Sequence, residues 1–245
     1  MAAHGKSGVI YIAQHNFSGY TTSWNFSLDS DAVEVTTMAD VAKAFLQGDY
    51  GFTLGFETLF DAADTGWNET AFSQVITTMA DQYVCLAPTG VAVGTEPVYE
   101  LVAQWTSEPI VTSIGDAVRI SGSMQGTGSA GFSRGYVLQS RTVTTTTTET
   151  GYNIGVVASG TTSIATWRVK TLTGTYVGAM EESQNDGGAD PYAAVVAYAS
   201  GSIVADGVTR KTTTGAIEAW RRVRVTGAPT TAEVLVTNTI SPLAT

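Results

Sequence analysis

From Val9 onward the chain repeats one pattern: short runs rich in Val, Ile, Tyr, Trp and Thr, broken by Gly, Asn, Asp and Pro. Punctuation of this kind predicts a sandwich or barrel of antiparallel strands rather than βαβ units. Strands are expected near 9–13, 23–28, 52–56, 83–87, 99–105 and 117–124. In the second half they are expected near 136–142, 164–172, 193–198, 208–214, 219–226 and 232–238. Two short helices interrupt the series. Thr37 can cap the first, with Asp40 near its N-terminus and Gly48 as its stop. The second starts at Asn68 and places Phe72, Val75, Ile76 and Met79 on one apolar face.

The cluster from Gly122 to Gly131 holds four glycines and two serines, which reads as a linker or long loop. It sets a boundary near Ala130, giving a β domain over 1–130 and a second over 131–245. The run Thr142-Val-Thr-Thr-Thr-Thr-Thr148 has strong β propensity and no apolar alternation. It is either an edge strand or an extended arm packed on a neighbouring subunit, with Thr144, Thr145 and Thr146 as its contacts.

The N-terminal order of Val35, Thr36, Thr37, Asp40 and Gly48, preceded by Phe17-Ser-Gly-Tyr20 and Trp24-Asn-Phe-Ser-Leu28, resembles the major tail tube proteins of long-tailed bacteriophages. Met38 and Ala39 stand where that family often has an aromatic and a glycine. Trp167-Arg-Val169, Glu182-Ser-Gln-Asn-Asp186 and Trp220-Arg-Arg-Val-Arg-Val-Thr226 resemble the repeated-strand domain that often follows the tube core. The resemblance implies a tail-tube-like β-sandwich or barrel with flanking helices, followed by a second sandwich-like domain that lies outside the tube wall or braces neighbouring rings. It implies a structural virion protein, not an enzyme, made in the host cytoplasm and kept in the virion tail. Its copies would form rings, six or three pseudo-sixfold, stacked into the channel for DNA ejection beside a tape measure and a tail terminator.

Composition fits such a part. Charged residues make up 14% of the chain, against about 25% in typical domains, so the surface is covered by small polar residues or by neighbouring copies. The net charge of −10 is unevenly placed: residues 1–130 carry 3 Lys and Arg against 14 Asp and Glu, residues 131–245 carry 9 against 8. An acidic first half argues against nucleic-acid binding, which needs clustered cations. It suits a bore past which DNA slides, and Asp29, Asp31, Glu34, Asp49, Asp61 and Asp64 are the expected lumen carboxylates. Arg221, Arg222 and Arg224 form the one dense basic patch. Strand alternation puts Arg222 and Arg224 on one face, either solvated or paired with a neighbouring subunit's acidic half.

No catalytic, cofactor or metal constellation is expected. Gly131-Phe-Ser-Arg-Gly135 has the letters of a nucleophile elbow, yet a strand comes after it and His4 and His15 come far earlier. Gly5-Lys6-Ser7 lacks a phosphate cradle, and one cysteine with two histidines cannot build a zinc site. Asp186-Gly-Gly-Ala-Asp190 reads as a hairpin turn rather than a Ca²⁺ loop. Cys85, in an apolar strand, reads as a buried small hydrophobe. No secretory signal or membrane span is visible. Two other readings stay open: a capsid decoration or baseplate ring protein, and a carbohydrate-binding sandwich that stacks sugars on Trp105, Trp167 and Trp220.

Overall fold

The computed structural model describes residues 7–35, 45–60, 81–107, 110–111, 118–127, 131–227 and 229–241. The described chain is mainly β, as its sequence pattern requires. Strands β1 (Val9–Ile12), β2 (His15–Asn16), β3 (Thr21–Glu34), β4 (Phe45–Leu59), β5 (Gln82–Ala87), β6 (Pro97–Ser107) and β7 (Ile110–Val111) come first. Next are β8 (Arg119–Gly126), β9 (Phe132–Val143), β10 (Thr147–Thr148), β11 (Tyr152–Asn153), β12 (Ser163–Thr173) and β13 (Tyr176–Ser183). The last are β14 (Ala193–Ala194), a 3₁₀ turn at Val196–Tyr198, β15 (Ser202–Ile203), β16 (Gly207–Thr213), β17 (Trp220–Gly227) and β18 (Thr231–Ile240).

The chain divides into two compact units: 1–18 with 82–102 and 128–245, and 19–81 with 103–127. The expected boundary near 130 lies beside one of the junctions, and the others fall elsewhere in the chain. The first unit is a two-sheet sandwich. One sheet runs β16-β12-β18-β9-β6-β5-β1-β2, and the other runs β10-β17-β13-β14 with β11 and β15 attached. Alternate residues of each sheet meet between them: Leu138, Trp167, Val169, Tyr176, Met180, Val223, Val225, Val234 and Val236 are all buried in one cluster. Burying each such side chain stabilises by roughly 1.5–3 kcal/mol.

β12 is buried on both faces over residues 163–169, because the long sheet curls over its outer side. Arg168 marks the curl. It is 1% exposed, donates to both Glu100 carboxylate oxygens at 2.6 Å, and reaches the carbonyls of Ala13 at 2.9 Å and Tyr83 at 3.3 Å. Thr237 Oγ1 donates to the same Glu100 at 2.6 Å. Burial opposes the guanidinium charge, and Glu100 more than offsets it, holding Arg168 above its ordinary value. Beside this pair lie Cys85, Ala87, Val98, Val137 and Leu235. Cys85 is fully buried, as expected, and burial pushes its thiol up. A thiolate is the reactive form, so native protein should resist iodoacetamide while denatured protein alkylates fully; mass spectrometry reads the difference.

The second unit is built on β3, β4, β8, the Ala103–Ser107 end of β6, and β7. Strand alternation is plain along β4, where Phe52, Leu54, Phe56 and Thr58 are buried and Gly51, Thr53, Glu57 and Leu59 are exposed. The cluster expected as a linker is largely strand: Gly122 and Gly126 lie within β8. Their lack of a side chain admits aromatic rings. A Cβ on Gly122 would stand 2.0 Å from the Phe56 ring, and one on Gly126 would stand 2.2 Å from the Phe52 ring. Gly122→Val should therefore lower stability by about 1–3 kcal/mol, read as an earlier midpoint in urea.

Corrections also fall on the helices and on one strand. Gly48 does not stop a helix. Phe45, Leu46 and Gln47 already pair with Glu34, Val33 and Ala32 inside the β3–β4 ladder, while Thr37 and Asp40 lie outside the described residues, as does the whole segment from Asn68 to Met79. The strand expected at 193–198 is only Ala193–Ala194 followed by the 3₁₀ turn.

Candidate assembly surface

Among the described residues β3 has one strand partner, β4, along its length from Thr21 to Glu34, with register shifts at Thr22 and Asp31. β4 pairs on its other side with β8 only from Thr53 to Leu59, so residues 45–52 of β4 and 28–34 of β3 form a two-stranded ribbon. One face of the β3–β4 ladder joins the unit's core: Trp24 faces Phe56, Phe26 faces Leu54 and Leu28 faces Phe52 across it. Leu28, toward the ribbon's end, is 46% exposed. The other face carries Ser23, Asn25, Ser27 and Asp29 on β3 with Gly51, Thr53, Gly55 and Glu57 on β4. Among its described β3 and β4 residues there is no cation, while Arg119 of β8, paired with Leu59, is exposed on the same side. An unpaired strand edge is a template for another chain.

Four of the six expected lumen residues fall on the two strands of this ribbon. Asp29 is exposed on the polar face and accepts from Ser27 Oγ, and Glu34 is exposed at the strand end. Asp31 lies in β3 near a register shift, and Asp49 lies in β4. Asp61 and Asp64 are outside the described residues. Sequence reasoning missed Glu57, although the alternation of buried Phe52, Leu54 and Phe56 puts it on the polar face.

The basic patch is used within its own chain. Arg221 is 1% exposed and donates to Asn238 Oδ1 at 2.6 Å, the Gly155 carbonyl at 2.6 Å and the Glu218 carbonyl at 3.2 Å. It therefore has no surface for a neighbour. Burial pushes its guanidinium down to about 10, with Glu182 among the groups working the other way, so it stays charged at neutral pH. Arg222 and Arg224 do share a face: both reach the buried Glu181, at 2.7 and 3.3 Å, and Arg222 lies 3.9 Å over the Tyr192 ring. Glu181 belongs to β13, a strand that the sequence pattern did not reveal. Thr144, Thr145 and Thr146 are exposed and carry the chain from β9 in one sheet to β10 in the other. There Thr147 and Thr148 pair with Val225 and Arg224.

The remaining motifs resolve as structure. Ser133, the central residue of the elbow-like motif, is buried in β9 with its hydroxyl 2.8 Å from that of Thr239. Trp167 is fully buried in the sandwich core, which removes it from any sugar-stacking surface. Asp186 and Asp190 close the turn after β13: Asp186 accepts from Tyr192 at 2.7 Å and Asp190 from the Gln184 amide at 2.8 Å. Among the described residues no group of three His, Cys, Asp or Glu could hold a metal ion, and no helix is long and apolar enough to cross a membrane.

No protein-family model and no curated protein matches the chain. Among solved structures it is similar to a chain of the virion of a native gene transfer agent particle, at 16% identity and a TM-score of 0.45, over 54% of this chain and 98% of that one. It is similar to the SPP1 tail tube, at 11% identity and 0.42, over 52% and 77%. The SPP1 Dit protein, whose structure is described as a paradigm of hub adsorption apparatus in phages infecting Gram-positive hosts, aligns over 94% of this chain and 98% of its own. Its identity is 8% and its TM-score 0.36. Scores below 0.5 do not establish a common fold, so the molecule's own geometry must carry any functional conclusion.

Proposed function

We propose that this chain is the tail tube subunit of a long-tailed phage, a structural virion protein whose copies form rings stacked into a channel for DNA. The single observation that carries this reading is the edge of β3, which has no strand partner among the described residues. A long strand paired on one side invites lateral pairing, and in a closed ring of identical copies each edge meets the next without leaving one exposed. The polar face of the β3–β4 ladder then lines the bore, where Asp29 and Glu57 repel phosphates. The first unit sits outside the wall or braces neighbouring rings. Rings of six copies, or of three in pseudo-sixfold arrangement, stack beside a tape measure and a tail terminator.

Purified protein, imaged in negative stain and weighed by sedimentation velocity across concentration and salt, tests the reading. Tubes or stacked rings are expected. Isolated rings that never stack place the chain in a baseplate or decoration ring instead. A monomer of 25.6 kDa under every condition overturns the reading.

A further inference from the structure

The curled sheet of the first unit has a mouth. Residues of the β1–β2 hairpin and of β9, β18 and β12 line an open cavity of about 220 Å³. Its lining comes from Tyr11, Gln14 and Asn16 of the hairpin and from the sheet, where Ser140, Arg141, Thr142, Lys170 and Glu233 contribute polar groups beside the buried Arg168 and Leu235. The hairpin wall is fixed in place, because Arg168, itself clamped by Glu100, holds the Ala13 carbonyl at the hairpin turn at 2.9 Å. Asn16 Nδ2 donates to the Tyr11 hydroxyl at 3.3 Å. Mouths of curled or closed sheets are a common place for small ligands.

The polar groups have a pattern. Lys170 and Glu233 are direct partners on adjacent strands, yet no ion pair joins them. An ammonium that only donates thus stands beside a carboxylate that only accepts. Around them are the amides of Gln14 and Asn16 and the hydroxyls of Tyr11, Ser140 and Thr142, which do both. The two arginines of the lining are already engaged, Arg141 by Glu149 at 2.8 Å and Arg168 by Glu100 at 2.6 Å. An anion would meet Glu233 and a cation Lys170. A zwitterion would need the two charges at opposite ends of the cavity, and an apolar ligand would leave every one of these groups unpaired. A neutral ring bearing adjacent hydroxyls satisfies them all, since each hydroxyl can accept from Lys170 while donating to Glu233. The volume lies below the roughly 300–1,000 Å³ of drug-sized pockets, which restricts the occupant to about one ring. We propose that this mouth binds a single neutral pyranose unit, free or at the end of a glycan. The site is separate from the ribbon of the assembly reading and does not depend on it.

Saturation-transfer NMR works on monomer and large assembly alike. The probes are D-glucose, D-galactose and N-acetyl-D-glucosamine, with L-alanine as the zwitterion. At least one sugar should show saturable transfer with Kd on the order of 1 mM, as fits a small, open site. Glu233→Ala and Lys170→Ala should each weaken it about tenfold or more. Both side chains lie at the surface, so an unchanged melting curve will show that the variants are folded. Transfer from no sugar, transfer from alanine alone, or sugar transfer equal in both variants would each overturn the proposal.

Discussion

Replacing Arg168 by Met is expected to cost about 3–5 kcal/mol of stability, because it strands the Glu100 carboxylate in the interior without its counter-charge. The pair is 1% and 3% exposed, and water cannot reach in to compensate. The same substitution frees the carbonyls of Ala13 and Tyr83, so the curl of the sheet over β12 loosens as well. At a few degrees per kcal/mol for a chain of this size, the melting midpoint should fall by about 10 °C. Glu100→Leu added to Arg168→Met removes the orphaned charge, and the double variant should regain most of the loss, since apolar replacement of a whole buried pair is often neutral. Calorimetry of the two variants checks both halves. A single variant as stable as the parent would mean that Glu100 is solvated, and the enclosed pair would not be the organising feature of the unit.

The second large effect is on assembly. Proline has no N–H to donate to a ladder, and successive N–H groups of a strand point to opposite edges. Of Ser27→Pro and Leu28→Pro, one therefore removes a donor that faces β4 and the other a donor that faces outward. The inward variant should weaken the β3–β4 ribbon. The outward variant should stay folded yet lose tubes or rings, with association weakened at least tenfold for each 1.4 kcal/mol of edge pairing removed. Sedimentation velocity with circular dichroism separates the two. If the variant that keeps its fold assembles like the parent, β3 is not the joint.

Regular alternation made much of this molecule legible from the chain alone. The β class, the burial of Cys85, and the shared face of Arg222 and Arg224 all follow from a side-chain period of two, which each strand carries locally. The turn at Asp186 was readable for the same reason, from its glycines and carboxylates. What failed to show was whatever depends on a partner far along the chain. β13 reads as loop, because Gly178 and the neighbouring Glu181 and Glu182 weaken a strand pattern. In the fold the Trp167 ring covers Gly178 and two arginines neutralise Glu181. Gly122 and Gly126 suggest a linker in the sequence, whereas in the fold the rings of Phe56 and Phe52 lie across them.

The same division holds for the surfaces proposed to act. Local sequence determined that the first half is acidic and where its carboxylates cluster, and it determined which residues of β4 face inward. Only the tertiary structure decided that β3 has one partner among the described residues, that Arg221 is spent internally, and that Arg168 meets Glu100, 68 positions away in sequence. Such pairings leave no local trace, because a buried charge is tolerated only when the fold supplies its counter-charge, and strand partners are chosen by closure of the whole sheet rather than by either strand.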